Sequence, residues 1–176
     1  MKRSLLLAFF LIGIFSLNTI NAQVKMTEEN IRAAKKQINS SLDNWHKAAA
    51  NADFKGYFAL MTDDAVFIGT DPTELWNLEE FKTFSKPYFD SGQAWNLTPV
   101  ERHIYLANHR RIAWFDELLD THMGICRGSG IMEKIDGQWK VQHYVLSLTI
   151  PNDNVQQVTL IKKDFDKNLL AKLHNN

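Results

Sequence analysis

Residues 112–151 read IAWFDELLDTHMGICRGSGIMEKIDGQWKVQHYVLSLTIP, and no other part of the chain says more about its architecture. Apolar and polar residues alternate in this stretch, as they do in strands that bury one face. The interruptions are short, at 121–123 and at 136–137, and the Asp-Gly pair at 136–137 is a strong signal for a hairpin turn. Short connections join antiparallel neighbours, so the stretch predicts three consecutive antiparallel strands, at about 111–120, 124–135 and 138–150.

The preceding residues predict helices and two more strands. Residues 27–51 carry apolar side chains at three- and four-residue steps after Thr27, a suitable N-cap. A second helix is predicted at 54–61, and a third begins after Asn77, with Glu80 completing a capping box. Strands are predicted at 65–68 and at about 95–107, and a final helix at 155–173. Helices followed by a meander of long strands predict an α+β fold, in which a curved antiparallel sheet wraps around the N-terminal helices and forms a conical cavity.

The N-terminus has the pattern of a secretory signal peptide. Lys2 and Arg3 precede an apolar run at 5–15, and the polar residues that follow lead to a cleavage site expected after Ala22. The apolar run is too short to span a membrane comfortably, so no stable membrane anchor is expected after its removal. We therefore expect an exported protein, periplasmic or secreted, with a signal peptide at 1–22, one domain at 23–153 and a helical extension at 154–176.

Composition excludes several classes of function. The chain has 20 Lys and Arg against 20 Asp and Glu, with no basic run, which argues against a nucleic-acid partner. Its one cysteine, Cys126, cannot form a disulfide within the chain, and a small buried hydrophobe is the more frequent role for such a residue. The histidines lack the close spacing of metal ligands, so no metal is expected, although the fold could still bring separate ligands together. No cofactor is expected either.

Several short motifs, taken in order, carry a family resemblance. They lie at 53–61, 63–69, 74–76, 113–117, 127–130 and 136–141, followed by His143, Ser147 and Pro151. This order resembles the SnoaL-like branch of the nuclear-transport-factor-like cone fold over about 27–153. The resemblance implies a pocket and, often, a homodimer formed through the outer face of the sheet. Val145 stands where this branch often has a second histidine, which weakens any function that needs both.

Three residues are candidates for acid–base catalysis. Strand alternation places His143 with Trp139 and Val141 on one face, as expected for a cavity wall, although a hydrogen-bonded core histidine is the alternative. Asp116 and Glu117 are adjacent, so only one can face the cavity, where burial would raise its pKa and make it a general base. The alternative for these carboxylates is an ion pair with an arginine on a neighbouring strand, Arg127 or Arg102.

Five residues are candidates for ligand binding. Arg127 could hold a ligand carboxylate in a bidentate contact, and Trp76, between a loop and a helix, could form the lip of a pocket. The other three belong to an aromatic set too large for one small domain unless most of it is core. They are Trp45, Tyr57 and Trp114.

Two functions are compatible with these features. One is the binding of a small, largely apolar molecule in a conical pocket, with cofactor-independent isomerisation or dehydration as a catalytic extension. The other is a non-catalytic module that dimerises or binds another protein.

Overall fold

The computed structural model describes residues 27–108 and 111–175. The predicted signal peptide at 1–22 lies outside these residues. The elements follow the chain as α1 (Glu28–Ala50), α2 (Phe54–Ala59), β1 (Met61–Ile68), β2 (Leu75–Asn77), α3 (Leu78–Asp90), β3 (Thr98–Leu106), β4 (Ile112–Thr121), β5 (Gly124–Ile135), β6 (Gln138–Leu148), a 3₁₀ turn (Asn152–Asn154) and α4 (Val155–Leu173).

One six-stranded sheet has the order β2-β1-β6-β5-β4-β3. All neighbours are antiparallel except β1 and β6, which pair in parallel. The predicted α+β class and the meander of four long strands are confirmed. The short strand β2 is not among the predicted elements, and β1 begins at Met61, upstream of the predicted start at Ala65.

Local side-chain contacts begin the helices where the sequence predicts. The Thr27 hydroxyl accepts a hydrogen bond from the Asn30 N–H at 3.2 Å, which caps α1. At α3, Asn77 Oδ1 accepts from the Glu80 N–H while Glu80 Oε2 accepts from the Asn77 N–H, each at 3.0 Å. These caps satisfy backbone donors that the first helical turn leaves free. They depend on neighbouring residues alone, which is why the sequence reveals them.

The core lies between the concave face of the sheet and the three N-terminal helices. In β4 every second side chain is buried, from Ala113 through Phe115 and Glu117 to Leu119, as the alternation predicts. From the helix side, α1 buries an apolar stripe that runs from Ile38 through Trp45 to Ala49. These opposing faces exclude water from the centre of the cone.

A β-bulge in β6 overturns one prediction. Ile131 pairs with His143 and the next residue, Met132, pairs with Val141, so Gln142 is an extra residue in the strand. Alternation predicts Trp139, Val141 and His143 on one face, but the extra residue reverses the faces, and Tyr144 points into the core instead. The predicted place of His143 on the cavity wall is therefore wrong.

Gly130 lets β5 approach its neighbours closely. A Cβ added there would lie 2.5 Å from the carbonyl oxygen of His143 and 2.8 Å from two ring carbons of Phe115. A backbone oxygen cannot move away as a flexible side chain can. The second glycine of the Arg-Gly-Ser-Gly motif thus gives room to the bulged strand and to a core ring, and its close contacts are with the polypeptide itself.

The C-terminal helix α4 buries none of its residues. Its apolar side chains, among them Ile161, Phe165 and Leu173, are exposed, with Ile161 at 84% of its full accessibility. The helix bounds match those predicted from the sequence. None of the helices among the described residues is both long and apolar enough to cross a membrane.

We expect the substitution Gly130→Ala to lower the free energy of unfolding by about 1–3 kcal/mol, because the new methyl group must displace either the bulge or the Phe115 ring. Urea denaturation followed by circular dichroism measures this change. Ser129→Ala is the matched control, since Ser129 points to the opposite face of the same strand, and its effect should stay within about 0.5 kcal/mol. Equal effects of the two substitutions would contradict the assignment of Gly130 as a close-contact position.

Candidate functional site

A buried carboxylate lies at the centre of the cone. Glu117 is 1% exposed, and its position in β4 directs it inward while Asp116 points outward. Glu117 Oε1 accepts hydrogen bonds from His46 Nε2 at 2.8 Å and from the Tyr144 hydroxyl at 3.1 Å. Oε2 accepts from Arg102 Nε, also at 2.8 Å. Three donors from α1, β3 and β6 thus converge on one side chain.

Arg102 connects this buried group to the surface of α1. It stands directly opposite Glu117 in the β3–β4 ladder. Its Nη1 donates to Asp43 Oδ1 at 2.8 Å and to Asn39 Oδ1 at 3.1 Å, and Asp43 is largely solvent-exposed. The guanidinium therefore joins the sheet to α1 through two carboxylates, one buried and one in water.

The charge of this cluster follows from its contacts. Burial acts to raise the pKa of Glu117, but the hydrogen bond and charge of His46, together with Arg102, lower it below the ordinary value. Tyr144 has its pKa raised well above 10.0, first by burial and then by the neighbouring Glu117 carboxylate. Glu117 is thus an ionised acceptor and Tyr144 a protonated donor at neutral pH.

This arrangement does not favour proton abstraction by Glu117. A general base needs a free lone pair facing the substrate and a pKa near the working pH. Glu117 has both oxygens engaged by donors, is sealed from solvent and has a lowered pKa. The expected raised pKa of a cavity carboxylate is therefore wrong for Glu117. The alternative holds instead, because Glu117 forms an ion pair with Arg102 on the neighbouring strand, and His46 adds a second basic partner.

The other predicted catalytic residues lie outside the cone. Asp116 Oδ1 lies 2.9 Å from His103 Nδ1, in a solvent-exposed pair on the convex face of the sheet. His143 is on the same face, opposite Ile131, because of the bulge. The structure does not bring His143 and Asp116 together with Glu117 in one site.

The predicted ligand-binding residues fall in three places. Arg127 and Trp114 are exposed on the convex face, and Trp114, 47% exposed, stacks on Tyr105 with ring centroids 5.7 Å apart. Placing these two in the cavity is incorrect, since their strand positions alternate with inward-facing neighbours. Trp45 and Tyr57 are fully buried and stack on each other at 4.9 Å. Trp76 lines an open pocket among the described residues.

That pocket opens at the mouth of the cone and has a volume of about 190 Å³. Its lining combines the β1–β2 loop, α3, the segment after α3 and the β4–β5 turn. Trp76 and Phe84 stack with centroids 4.3 Å apart, and Phe67 stacks on Phe81 at 4.0 Å. Its aromatic lining residues are Phe67, Trp76, Phe81, Phe84 and Trp95.

The polar groups of the pocket come mainly from a short loop. Gly69 N–H donates to the Glu74 carbonyl oxygen at 3.0 Å, and Asp71 N–H donates to Glu74 Oε2 at 3.1 Å. These bonds fold the loop back and place the Glu74 carboxylate in the pocket lining, beside Thr70. His122 contributes an imidazole from the opposite rim. The site thus holds a large apolar surface and a few fixed polar groups, which is typical of small-molecule pockets.

Several of these residues are not among the sequence candidates. His46 follows Trp45 in the apolar stripe of α1, and a histidine within such a stripe was an available signal for a buried polar partner. Phe84, Trp95 and Glu74 had no comparable signal, because their meeting depends on how the loops close over the cone. Among residues 27–108 and 111–175, no group of three or more His, Cys, Asp or Glu is placed to hold a metal ion.

We expect Glu117→Gln to lower the free energy of unfolding at pH 7 by about 3–5 kcal/mol, because Arg102 loses its buried counter-charge. Acid dependence provides a second readout. Since the pKa of Glu117 is lowered on folding, its stabilising contribution is present at neutral pH and is lost as pH falls below about 4.3. Urea melts between pH 7 and pH 3 should therefore show the variant converging on the wild type in acid.

Asp116→Asn is the control for this experiment. It removes one carboxylate from the adjacent position, but that carboxylate belongs to an exposed pair with His103. Its expected cost at pH 7 is below about 1 kcal/mol. A similar loss for the two variants would show that the buried network does not hold the fold.

Comparison with known proteins finds the same fold in several solved structures. An NTF2-like protein of unknown function from Pseudomonas putida KT2440 is 17% identical, with a TM-score of 0.58 over 70% of this chain and 92% of that chain. An NTF2-like protein from Streptomyces avermitilis, proposed to be a dehydratase, is 12% identical, with a TM-score of 0.58 over 69% of this chain and 99% of that chain. The association domain of C. elegans CaMKII is 20% identical, with a TM-score of 0.54 over 66% of this chain and 97% of that chain.

At these identities the structures share the fold alone, and no curated protein matches the sequence at a significant level. The sequence model of the SnoaL-like domain, in contrast, matches residues 38–151, which include both the buried Glu117 cluster and the aromatic pocket. The chain therefore belongs to the SnoaL-like domain family, with the cone fold of NTF2-like proteins.

Proposed function

We propose that the protein binds a small, largely apolar molecule in the aromatic pocket at the mouth of the cone. The observation that carries this proposal is the pocket lining, in which five aromatic side chains surround a space open to solvent. Its volume of about 190 Å³ suits one aromatic ring or a group of similar size, since engineered apolar cavities of ~150 Å³ bind benzene. The N-terminal signal pattern implies that this ligand is met outside the cytoplasm.

Binding is favoured over catalysis by the positions of the three predicted catalytic residues. The candidates Asp116 and His143 lie on the convex face of the sheet, away from the mouth pocket. Glu117 is not among the residues that line this pocket, and its oxygens are held by His46, Tyr144 and Arg102. The cluster best serves to hold α1 against the sheet behind the pocket.

We expect 2-phenylethanol, a neutral molecule with one ring, to bind with a Kd on the order of a millimolar. Trp76→Ala should weaken this binding about two- to tenfold, because the ligand loses a stacking surface. Chemical-shift titration of the ¹⁵N-labelled protein measures both constants, with the indole N–H signals of Trp76 and Trp95 as local reporters.

Trp114→Ala is the matched control, because it removes an equally large and partly exposed ring from the convex face. It should leave the Kd within about twofold of the wild type. Absence of saturable shifts in the pocket, or equal weakening by the two substitutions, would sink the binding proposal.

A second candidate function, self-association, is favoured by the convex face of the sheet. Tyr105, Trp114 and Ile131 form an exposed apolar row across β3, β4 and β5, where their positions pair directly. Exposed apolar surfaces of this kind mark interaction sites. We propose that two copies pair through this face and form a homodimer, which leaves the mouth pocket of each copy open.

Sedimentation velocity at about 50 µM is expected to show a dimer for the wild type and a monomer for Trp114→Glu, because the new charge would be buried at the interface. Leu75→Glu is the control, since Leu75 is an exposed apolar residue of the edge strand β2. It should sediment as the wild type does. A monomeric wild type would rule out this assembly.

A further inference from the structure

We propose that the ligand of the mouth pocket carries a positive charge, as an amine or a quaternary ammonium group attached to its apolar part. This inference rests on the proposed binding function and adds the chemical class of the ligand. It is carried by the charges around the pocket together with the aromatic rings in its lining.

Carboxylates surround the pocket, and His122 is the one basic side chain among the described lining residues. Two grooves adjoin it, one sharing Trp76 and Phe84 with it and the other sharing Trp95 and His122. The residues that line the three depressions, as far as the structure describes them, include no lysine and no arginine. Their carboxylates are Glu74, Glu79, Glu80 and Asp120.

Glu74 is the carboxylate of the central pocket, and its loop fixes its position. The Glu74 N–H donates to the Asp71 carbonyl oxygen at 3.0 Å, and Glu74 Oε2 accepts from the Asp71 N–H at 3.1 Å. Its other oxygen, Oε1, has no hydrogen-bond partner among the described residues. A fixed carboxylate with one free oxygen beside an apolar space can pair with a cationic group without first being ordered by it.

The aromatic rings act in the same direction. The face of an aromatic ring carries negative electrostatic potential, and tryptophan attracts cations most strongly. Trp76 and Phe84 lie nearly parallel, at 24°, and are both accessible at the rim, where Phe84 is 38% exposed. A ligand whose ring packs in the pocket can therefore place an attached ammonium group near both a ring face and Glu74.

The positive charges nearby are already compensated. Lys82 Nζ, on α3, lies 2.7 Å from Glu79 Oε1, outside the pocket lining. The N-terminus of α3 carries a partial positive charge of about half a unit. The N–H groups of Glu79 and Glu80 already donate to the Asn77 side chain, and the Glu80 carboxylate accepts from the Asn77 N–H. Glu74 and Asp120 remain without a basic partner within 4.0 Å among the described residues.

Three probes that each contain one phenyl ring and differ in charge test the proposal. At pH 7, phenethylamine is cationic, 2-phenylethanol is neutral and phenylacetate is anionic. We expect the cation to bind about two- to tenfold more tightly than the alcohol, and the anion most weakly. Chemical-shift titration of the ¹⁵N-labelled protein gives the three constants. The ratio of the Kd of 2-phenylethanol to the Kd of phenethylamine should fall towards one as sodium chloride is raised from about 20 to 500 mM, because salt screens the carboxylates.

Glu74→Gln should bring the ratio of the Kd of 2-phenylethanol to the Kd of phenethylamine, both measured on the variant, close to one. The amide keeps an oxygen that can accept from the Asp71 N–H, so the loop is expected to persist. Glu101→Gln, which removes a carboxylate that lines none of the three depressions, should keep the wild-type preference. Should Glu74→Gln fail to fold, the salt dependence of the wild type tests the same charge effect.

The outcomes separate the two proposals. Binding of the alcohol with no preference for the cation, or a preference that survives Glu74→Gln and high salt, would overturn the cationic ligand and leave the pocket function standing. Failure of all three probes to bind would overturn the pocket function itself, and the cationic ligand with it.

Discussion

The ionised carboxylate of Glu117 is the constraint around which the rest of the domain is arranged. An uncompensated charge in an apolar interior costs several kcal/mol, so each of its oxygens must meet a donor. Those donors come from α1, β3 and β6, through His46, Arg102 and Tyr144. These three contacts hold α1 against the sheet and fix the Tyr144 side chain beneath the helix. The aromatic core then fills the remaining space, with Trp45 packed between Tyr57 and Tyr144.

The consequence for function is a separation between a polar interior and an aromatic mouth. The interior is closed, and both carboxylate oxygens of Glu117 are engaged there by His46, Tyr144 and Arg102. The mouth is formed where loops meet α3, and loops placed on a rigid scaffold are where binding groups usually occur. Glu74, in the loop between β1 and β2, and Trp76, in the edge strand β2, both line a space that the core does not fill. The family resemblance alone would direct attention to the sheet interior, whereas the packing directs it to the rim.

Structural features that depend on residues close in the sequence are predicted correctly, whereas features that depend on residues distant in the sequence are not. Caps at Thr27 and Asn77, the hairpin at 136–137 and the long strands follow from local chemistry, and the structure has them. Strand alternation shows that the side chains of Asp116 and Glu117 point to opposite faces of the sheet. Which of the two is buried depends on whether Arg102 and His46 lie within hydrogen-bonding distance. The predicted position of His143 is wrong for another reason. A single extra residue in β6 leaves no mark in the pattern of apolar and polar residues, yet it exchanges the two faces of the strand.

The parallel pairing of β1 with β6 also bears on how the chain reaches this structure. During synthesis β1 emerges early, while β6 is the last strand of the sheet to be made. Until β6 has been made, one edge of β1 has no partner strand, and Ile38 and Trp45 of α1 have no complete sheet to pack against. The meander of β3 to β6 is made of contacts between sequence neighbours, which close quickly, whereas the His46–Glu117 contact spans 71 positions. The nascent N-terminal half therefore passes through a period in which an open strand edge and apolar surface are exposed together, the conditions under which chains aggregate and chaperones are needed.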